Sequence, residues 1–588
     1  MAHLVSVEAV NFAAIGMDTS DLSTMRGGGL MLLDAITALD DPPTVKGGIR
    51  HRLEELHARE AFADFGVTTL TTGASSGVWR IDAPREVIEV LVADLRAGLR
   101  NGTAFPDKPI LCAALRHATF VVVAISEAGP NSVEAPGEDG GYLADRERLT
   151  AAVRWAQMST PNEVYPDVPT HRRAGEKLRH GEGNAANVCS IDLKRPAMPD
   201  RLRVGGREIS VSQSVADRRA HGLAAKQGFY DREAAAGDRA GKKLSLPAEI
   251  TRYSRAFATQ FSSISEPRVG GPLADKIAVL HFDGNKFSDV QRRFVLGEIV
   301  DDRKEDLSDA RQRAQLRQVD FDRLMKGMRR EFLIDLVRLL AQSPGGSGEP
   351  SREEVEERSR WEPEHRGHPV VRLETLMWGG DECCFVMPAH LGFAVTRLLF
   401  DHVDGRGRTP WTIGATQLGV AAGMVFCHHD APIARIRTLA EKLVNLVKKR
   451  NQLASPDRRT ANGLACLVLE SQDHLGRDLE DHLALFWSPL KADTTASVLD
   501  VTVPELLRDL KHSLEVAGFA RRRLRSLATD LHAGREFNRP EEWSDDSDVW
   551  KHLKELAALG VNGARAIVFM EMFWDYLDAT PAEKETAR

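Results

Sequence analysis

The sequence predicts an α+β protein with two related sheet units followed by a helical C-terminal domain. Three observations predict it. An order of strand, helix, hairpin, helix and strand can be read in residues 1–130. The same order returns in residues 276–475 with stronger signals. Residues 476–588 carry helical periodicity and few strand signals. Residues 131–275 form a more polar linking region.

In the first unit, VSVEAVNFAAI reads as a strand. RGGGLMLLDAITAL reads as a helix with an apolar face at Leu30, Leu33 and Ile36. GVTTLTTGASSGVWRI is rich in Thr and Val on both sides of a Gly-Ala-Ser-Ser-Gly turn, the pattern of a hairpin. PREVIEVLVADLRAGL opens on Pro84, which a first helical turn tolerates, and ATFVVVAI closes the unit as a buried strand. The linking region, rich in Gly, Arg and Lys, predicts short elements and loops that end in a helix around ITRYSRAFATQFSSI.

In the second unit, KIAVLHF is a buried strand and FDRLMKGMRREFLIDLVRLLAQ a helix. SPGGSGEPSREEVEERSRWEPEHRGHP is charged and rich in Gly and Pro, so an exposed or disordered insertion is expected there. VVRLETLMW and CCFVMP flank a Gly-Gly-Asp-Glu turn. HLGFAVTRLLFDHV is a helix, LGVAAGMVFC a strand, ARIRTLAEKLVNLVKKR a helix with a basic end, and NGLACLVLE a last strand. The matching order suggests a duplicated domain, although residue identities do not repeat. ELLRDLKHSLEVAGFARRRLRSLATDL and ARAIVFMEMFWDYLDA supply the C-terminal helices.

Composition narrows the class. Over 588 residues, 42% hydrophobic and 28% charged content describes a globular chain too long for one core. A net charge of −7 gives no overall attraction to nucleic acid. The cysteines Cys112, Cys189, Cys383, Cys384, Cys427 and Cys466 form no C-x-x-C pair, which predicts reduced thiols in a cytoplasm. The N-terminus shows no secretory pattern, and no apolar run approaches the ~18 residues that span a bilayer.

The chemistry concentrates in two distant stretches. The strand KIAVLHF ends at Asp283, followed by Gly284, Asn285, Lys286 and Phe287. A carboxylate at a strand end before a helix suits phosphate binding, because N–H groups at the helix start face an anion. A helix-capping Asp is the plain alternative. Gly379, Gly380, Asp381 and Glu382 form the tip of the second hairpin. If that hairpin lies beside the 276–282 strand, Asp283, Asp381 and Glu382 converge. Three such acids repel one another without a cation, and two Mg2+ ions on oxygen ligands can clamp nucleotide phosphates. Gly379 and Gly380 would then permit the turn and leave space for a base or ribose. Lys448 and Lys449 end a helix, either to neutralise a triphosphate or to complement the helix dipole.

Asp283-Gly-Asn-Lys-Phe287, then Gly379-Gly380-Asp381-Glu382, then AEKLVNLVK ending at Lys448, resembles the GGDEF nucleotide-cyclase palm. The nearer resemblance is to the second palm of the CRISPR type III large subunit, which makes cyclic oligoadenylates. VFCHHDAP also has that family's form, and CSIDLKRPA, SVSQSVADRR and KQGFY resemble its zinc-knuckle and linker. The resemblance implies two ferredoxin-like palms, the first catalytically inert because the TTGASSGVW tip has no carboxylate. It implies Mg2+ or Mn2+, two ions, on Asp283 and Asp381. Glu382 would be a metal ligand or would activate a 3′-hydroxyl, and Lys448 would contact phosphate. The substrate would be an NTP, ATP foremost. An antiphage role, an RNA or protein activator, and a homo-oligomer also follow from it.

The chain departs from the pattern in three places. The knuckle reads Cys189-Ser-Ile-Asp192 without a second Cys, so no structural zinc is expected. His429-Asp430 falls at a strand end, not in an N-terminal nuclease. The turn ends in Asp-Glu where many type III subunits have two Asp. Arg218-Arg219 and the Arg521, Arg522, Arg523 and Arg525 cluster are weaker candidates for phosphate or RNA. Two other readings stay open. One is a diguanylate or mononucleotide cyclase, with Gln291 near the position where GGDEF enzymes read guanine. The other is a nucleotide-binding sensor or scaffold without turnover.

Overall fold

A computed structural model describes residues 2–10, 15–16, 18–60, 64–128, 139–159, 188–198, 200–204, 207–251, 256–265, 272–299, 309–349, 355, 368–453, 461–470 and 478–577. Most of the charged 343–369 insertion lies outside them, so the expectation for it does too.

The first unit runs β1 (Ala2–Val10), α1 (Leu22–Leu39), α2 (Ile49–Glu60), β2 (Gly66–Thr72), β3 (Ser76–Asp82), α3 (Arg85–Asn101), α4 (Pro109–Leu115) and β4 (Thr119–Ser126). The strand order is β2-β3-β1-β4, with every pair antiparallel. Alternation along the strands sends residues to two cores. Val5, Val7, Trp79, Ile81 and Val122 are buried in the core that holds the apolar faces of α1 and α3. Leu4, Leu70, Val121 and Val123 join a separate cluster with residues of later helices. The short helices α2 and α4 are additions to the sequence reading.

The linking region departs from expectation. Instead of short elements it holds α5 (Tyr142–Ser159) and the 24-residue α6 (Gln213–Ala236), besides a small hairpin of β5 (Arg201–Val204) and β6 (Arg207–Ser210). Helix α6 hides its periodicity because it buries charge. Arg218, Arg219, Lys226 and Glu233 all sit within the fold. It crosses α1 so closely that a Cβ on Gly27 would meet the Arg218 carbonyl at 1.7 Å. This explains why RGGGLM is helical despite glycine's poor propensity. The expected helix over 250–264 is not continuous. Helical turns at Ala248–Thr251 and Phe261–Ile264 flank a stretch whose main chain bonds Val371 through Ala256 and Ala258.

The second unit runs β7 (Lys276–Gly284), α7 (Phe287–Leu296), α8 (Ala310–Gln342), β8 (Glu374–Trp378), β9 (Glu382–Pro388), α9 (Gly392–Asp404), β10 (Val420–His428), α10 (Ile433–Leu453) and β11 (Gly463–Val468). Its sheet order is β8-β9-β7-β10-β11-β12, where β12 (Val498–Leu499) comes from the C-terminal region. The first four positions repeat the order of the first sheet. β11 joins parallel to β10. The apolar runs of β7, β9 and β10 are buried on both faces, as near-continuous hydrophobic sequence requires.

The two units meet through α8. Val295 of α7 and Ala314 of α8 complete the cluster on the far face of the first sheet. Thr71 of β2 donates to Asp322 at 2.9 Å. A buried ionic triad ties three regions: Arg26 of α1 and Lys226 of α6 each donate to Glu374 of β8 at 2.9 Å. The C-terminal helices α11 (Leu479–Trp487), α12 (Val503–Val516), α13 (Arg521–His532), α14 (Asp548–Ala558) and α15 (Gly563–Phe573) share the second unit's core. No single described helix is long and apolar enough to cross a membrane.

Candidate active site

The hairpin β8–β9 places the acidic turn against the end of β7. Trp378 pairs with Cys383, and the Gly379 N–H donates to the Glu382 carbonyl at 2.8 Å. A Cβ on Gly379 would lie 2.9 Å from that carbonyl, so the turn needs its smallest residue there. Gly380 faces open space. β9 then runs antiparallel beside β7 with Glu382 opposite Asp283. The Gly284 N–H closes the corner by donating to the Asp381 carbonyl at 3.2 Å. The β7–β9 register therefore brings together acids 98 positions apart in the chain.

The three carboxylates differ in their surroundings. Asp283 forms an ion pair with Lys448 of α10. Glu382 accepts from His281 of β7 at 2.9 Å. Asp381 has no side-chain donor among the described residues. Burial, then the Asp283 charge, push its carboxyl up to about 6. The His281 bond holds Glu382 below the usual carboxylate range. Burial alone would lower the His281 imidazole, but hydrogen bonds to Cys384 and Glu382 outweigh it and raise it to about 9. Burial pushes the Cys383 thiol up to about 12, which leaves it protonated.

The residues after Asp283 divide. Gly284 makes room for the Phe287 ring, since a Cβ there would lie 2.4 Å from it. Asn285 is buried, and its amide donates to the Ala461 carbonyl at 2.9 Å. Lys286, exposed and left-handed at φ 55°, is the N-cap of α7 and makes no side-chain cap bond. Asp283 is therefore not the cap of this helix, and among the described residues no side chain caps the first N–H groups of α7. Lys448 reaches the acids, whereas Lys449 turns to Glu480 at 3.3 Å.

A cavity of about 180 Å3 opens beside Asp381 and Gly380, lined by Phe287, Gln291, Gln318 and Phe321 among others. Gln291 donates to the Gln318 oxygen at 3.1 Å, while the buried Gln318 Nε2 has no partner among the described residues. Thr71 brings the first sheet to the same cavity. Sequence reasoning missed His281, Gln318 and Arg329. His281 sits inside an apolar strand run, and the other two lie on a long helix whose charge pattern looks solvated.

The weaker candidates resolve elsewhere. Arg218 is buried against Asp18 at 2.9 Å and Arg219 pairs with Asp21 at 3.0 Å, so both serve the α1–α6 junction rather than a phosphate. Arg521, Arg523 and Arg525 face Asp575, Glu542 and Glu571. At the knuckle, Asp192 closes the turn by accepting from the Lys194 and Arg195 N–H groups, both at 3.0 Å, and from Ser212 at 3.1 Å. His428, His429 and Asp430 offer ligand atoms within 4.8 Å of one another. His428 pairs with Lys276, at the opposite end of β7 from Asp283.

No family model matches the chain, and no curated protein matches it. Among solved structures it is similar to a Csm1–Csm4 cassette in complex with cA4, at 11% identity and TM-score 0.45, covering 98% of this chain and 69% of that one. It is similar to the apo Csm1–Csm4 cassette at 12% identity and TM-score 0.43, covering 97% and 70%. It is similar to Csm1 in T. onnurineus at 11% identity and TM-score 0.40, covering 97% and 69%.

Proposed function

We propose that this chain is a divalent-metal-dependent nucleotidyltransferase of the palm type, joining nucleoside triphosphates, ATP foremost, into cyclic or short linear oligonucleotides. One observation carries the proposal. Asp381 is a carboxylate pushed up to about 6 beside Asp283, with no side-chain donor among the described residues. Two neighbouring acids of this kind need a cation, and their hard oxygens suit Mg2+ or Mn2+.

Asp283 and Asp381 would hold the metal, with Glu382 behind them on His281. When bound, such ions supply charge stabilisation and acidify an attacking hydroxyl. The chain's own residues do the rest. Lys448, now on Asp283, turns to phosphate oxygens once that carboxylate is neutralised. The uncapped start of α7 offers N–H groups to an anion. The cavity beside Gly380 takes a planar base between Phe287 and Phe321, with the Gln318 amide as a donor. A bond forms between the 3′-oxygen and the α-phosphorus, and the bond from that phosphorus to pyrophosphate breaks. An antiphage role and an RNA or protein activator belong to the same proposal through the sequence resemblance.

The test incubates the full chain with Mn2+ and each labelled NTP, following pyrophosphate release and product mass. Product from the wild type and none from Asp381→Ala is expected. Full activity in Asp381→Ala would exclude this site.

A further inference from the structure

Arg329 of α8 is buried at 4% exposure, and its Nε and Nη1 have no hydrogen-bond partner among the described residues. Three other buried basic side chains find carboxylates. Arg26 and Lys226 share Glu374, and Arg218 holds Asp18. The Arg329 guanidinium instead rests on the ring of Trp378, the residue before Gly379, 4.8 Å from its centroid. Burying an unpaired cation costs more than one aromatic face returns. Local rules are broken in this way where function requires it.

Its position points to the missing counter-charge. Gln318, Asp322, Met325 and Arg329 recur at helical spacing along one face of α8. The first three line the cavity that also holds Gly380 and Asp381. Arg329 lies one turn further along. Its charge acts on Asp381 without bonding it.

We infer that Arg329, stacked on Trp378 one turn beyond the Asp381 cavity, is an anion receptor whose partner is the polyphosphate of a metal-bound nucleotide. This rests on the nucleotidyltransferase reading. It carries a sign that a packing role does not. A fixed cation beside Asp381 repels a bare metal ion and attracts a metal–polyphosphate complex. Removing it should therefore help the first and hurt the second.

The experiment compares the full-length wild type with Arg329→Met, which keeps length and loses charge, and Arg329→Lys. Three quantities are read: Tm without ligand, affinity for Mn2+ alone, and affinity for inorganic tripolyphosphate with Mg2+. Arg329→Met is expected to hold or raise Tm, to leave Mn2+ binding unchanged or tighter, and to weaken tripolyphosphate at least about tenfold. Arg329→Lys should recover part of that loss, since an ammonium keeps the charge without the planar fork. A lower Tm with unchanged tripolyphosphate affinity in Arg329→Met would make Arg329 a packing residue and overturn the inference. Equal weakening of Mn2+ and tripolyphosphate would overturn it too, because Arg329 would then only shape the turn. Asp381→Ala separates the two levels. If it abolishes Mn2+ binding while Arg329→Met spares tripolyphosphate, the Arg329 inference alone fails. If Asp381→Ala binds Mn2+ normally, the metal-site reading fails and takes this inference with it.

Discussion

His281 and Glu382 sit on neighbouring strands, one pleat apart in register, and the imidazole donates to the carboxylate at 2.9 Å. A shorter Asp at position 382 would place its carboxylate about one bond further from His281. The longer Glu thus lets His281 serve the acidic turn as an internal counter-charge.

That pair makes stability depend on pH with a definite sign. Folding raises His281 to about 9, above its ordinary 6.5, so its contribution is complete below about 6.5 and is lost as pH rises through about 9. Folding lowers Glu382, so its contribution exists above about 4.5 and is lost as pH falls. Without metal, the Tm gap between wild type and His281→Gln should be widest near pH 6 and should close by about pH 10. Thermal melts with EDTA at stepped pH check this. A gap of constant size would show that His281 acts by shape alone.

Asp381 predicts proton-coupled metal binding. Its carboxyl is raised to about 6 by burial and Asp283, so below that pH a metal must displace a proton. Calorimetry of Mn2+ binding in buffers of different ionisation enthalpy should detect proton release near pH 5.5 and almost none near pH 7.5. In Asp381→Asn the release at low pH should vanish, and affinity should fall. Unchanged release in that variant would assign the proton to another group.

Legibility in the sequence followed the physics of each segment. KIAVLHF and CCFVMP are apolar runs bounded by turn residues, and the short Gly-Gly-Asp-Glu turn fixes CCFVMP against the strand before it. The pairing of Asp283 with the hairpin was therefore readable across the long helix α8. Helix α6 was not readable, because its inward face carries Arg218, Arg219 and Lys226, which only their partners on distant segments make burial-compatible. The broken 250–264 segment was misread because Val371, more than 100 residues away, takes its main-chain bonds. Arg329 looked like one more base on a charged helix. That its Nε and Nη1 find no hydrogen-bond partner among the described residues shows only in three dimensions.

Lys448 and Lys449 are neighbours with different environments, which allows an internal control. Lys448 pairs with Asp283, while Lys449 meets the largely exposed Glu480. Lys448→Met should weaken NTP affinity or product formation about tenfold, the order of one charged hydrogen bond at ~1.5 kcal/mol. Lys449→Met should change neither, since exposed pairs contribute little. Measuring nucleotide affinity and pyrophosphate release for both variants checks it. Equal losses would mean that the basic helix end acts only as a diffuse charge.

Glu374 governs assembly rather than chemistry. It is 1% exposed and receives Arg26 from α1 and Lys226 from α6, so one carboxylate neutralises two buried cations from different parts of the chain. Lys226 also bonds the Leu373 carbonyl at 3.0 Å, which anchors β8 just ahead of the acidic turn. Glu374→Ala leaves both cations without their carboxylate and should cost about 3–5 kcal/mol, as breaking a buried pair does. Glu374→Gln keeps the shape and loses the charge, and should be only partly better. Denaturant unfolding of the three proteins measures the cost. Hydrogen exchange should show the β8–β9 hairpin losing protection before the outer helices. If Glu374→Ala unfolds at the wild-type midpoint, the triad does not hold the first unit and the acidic turn together.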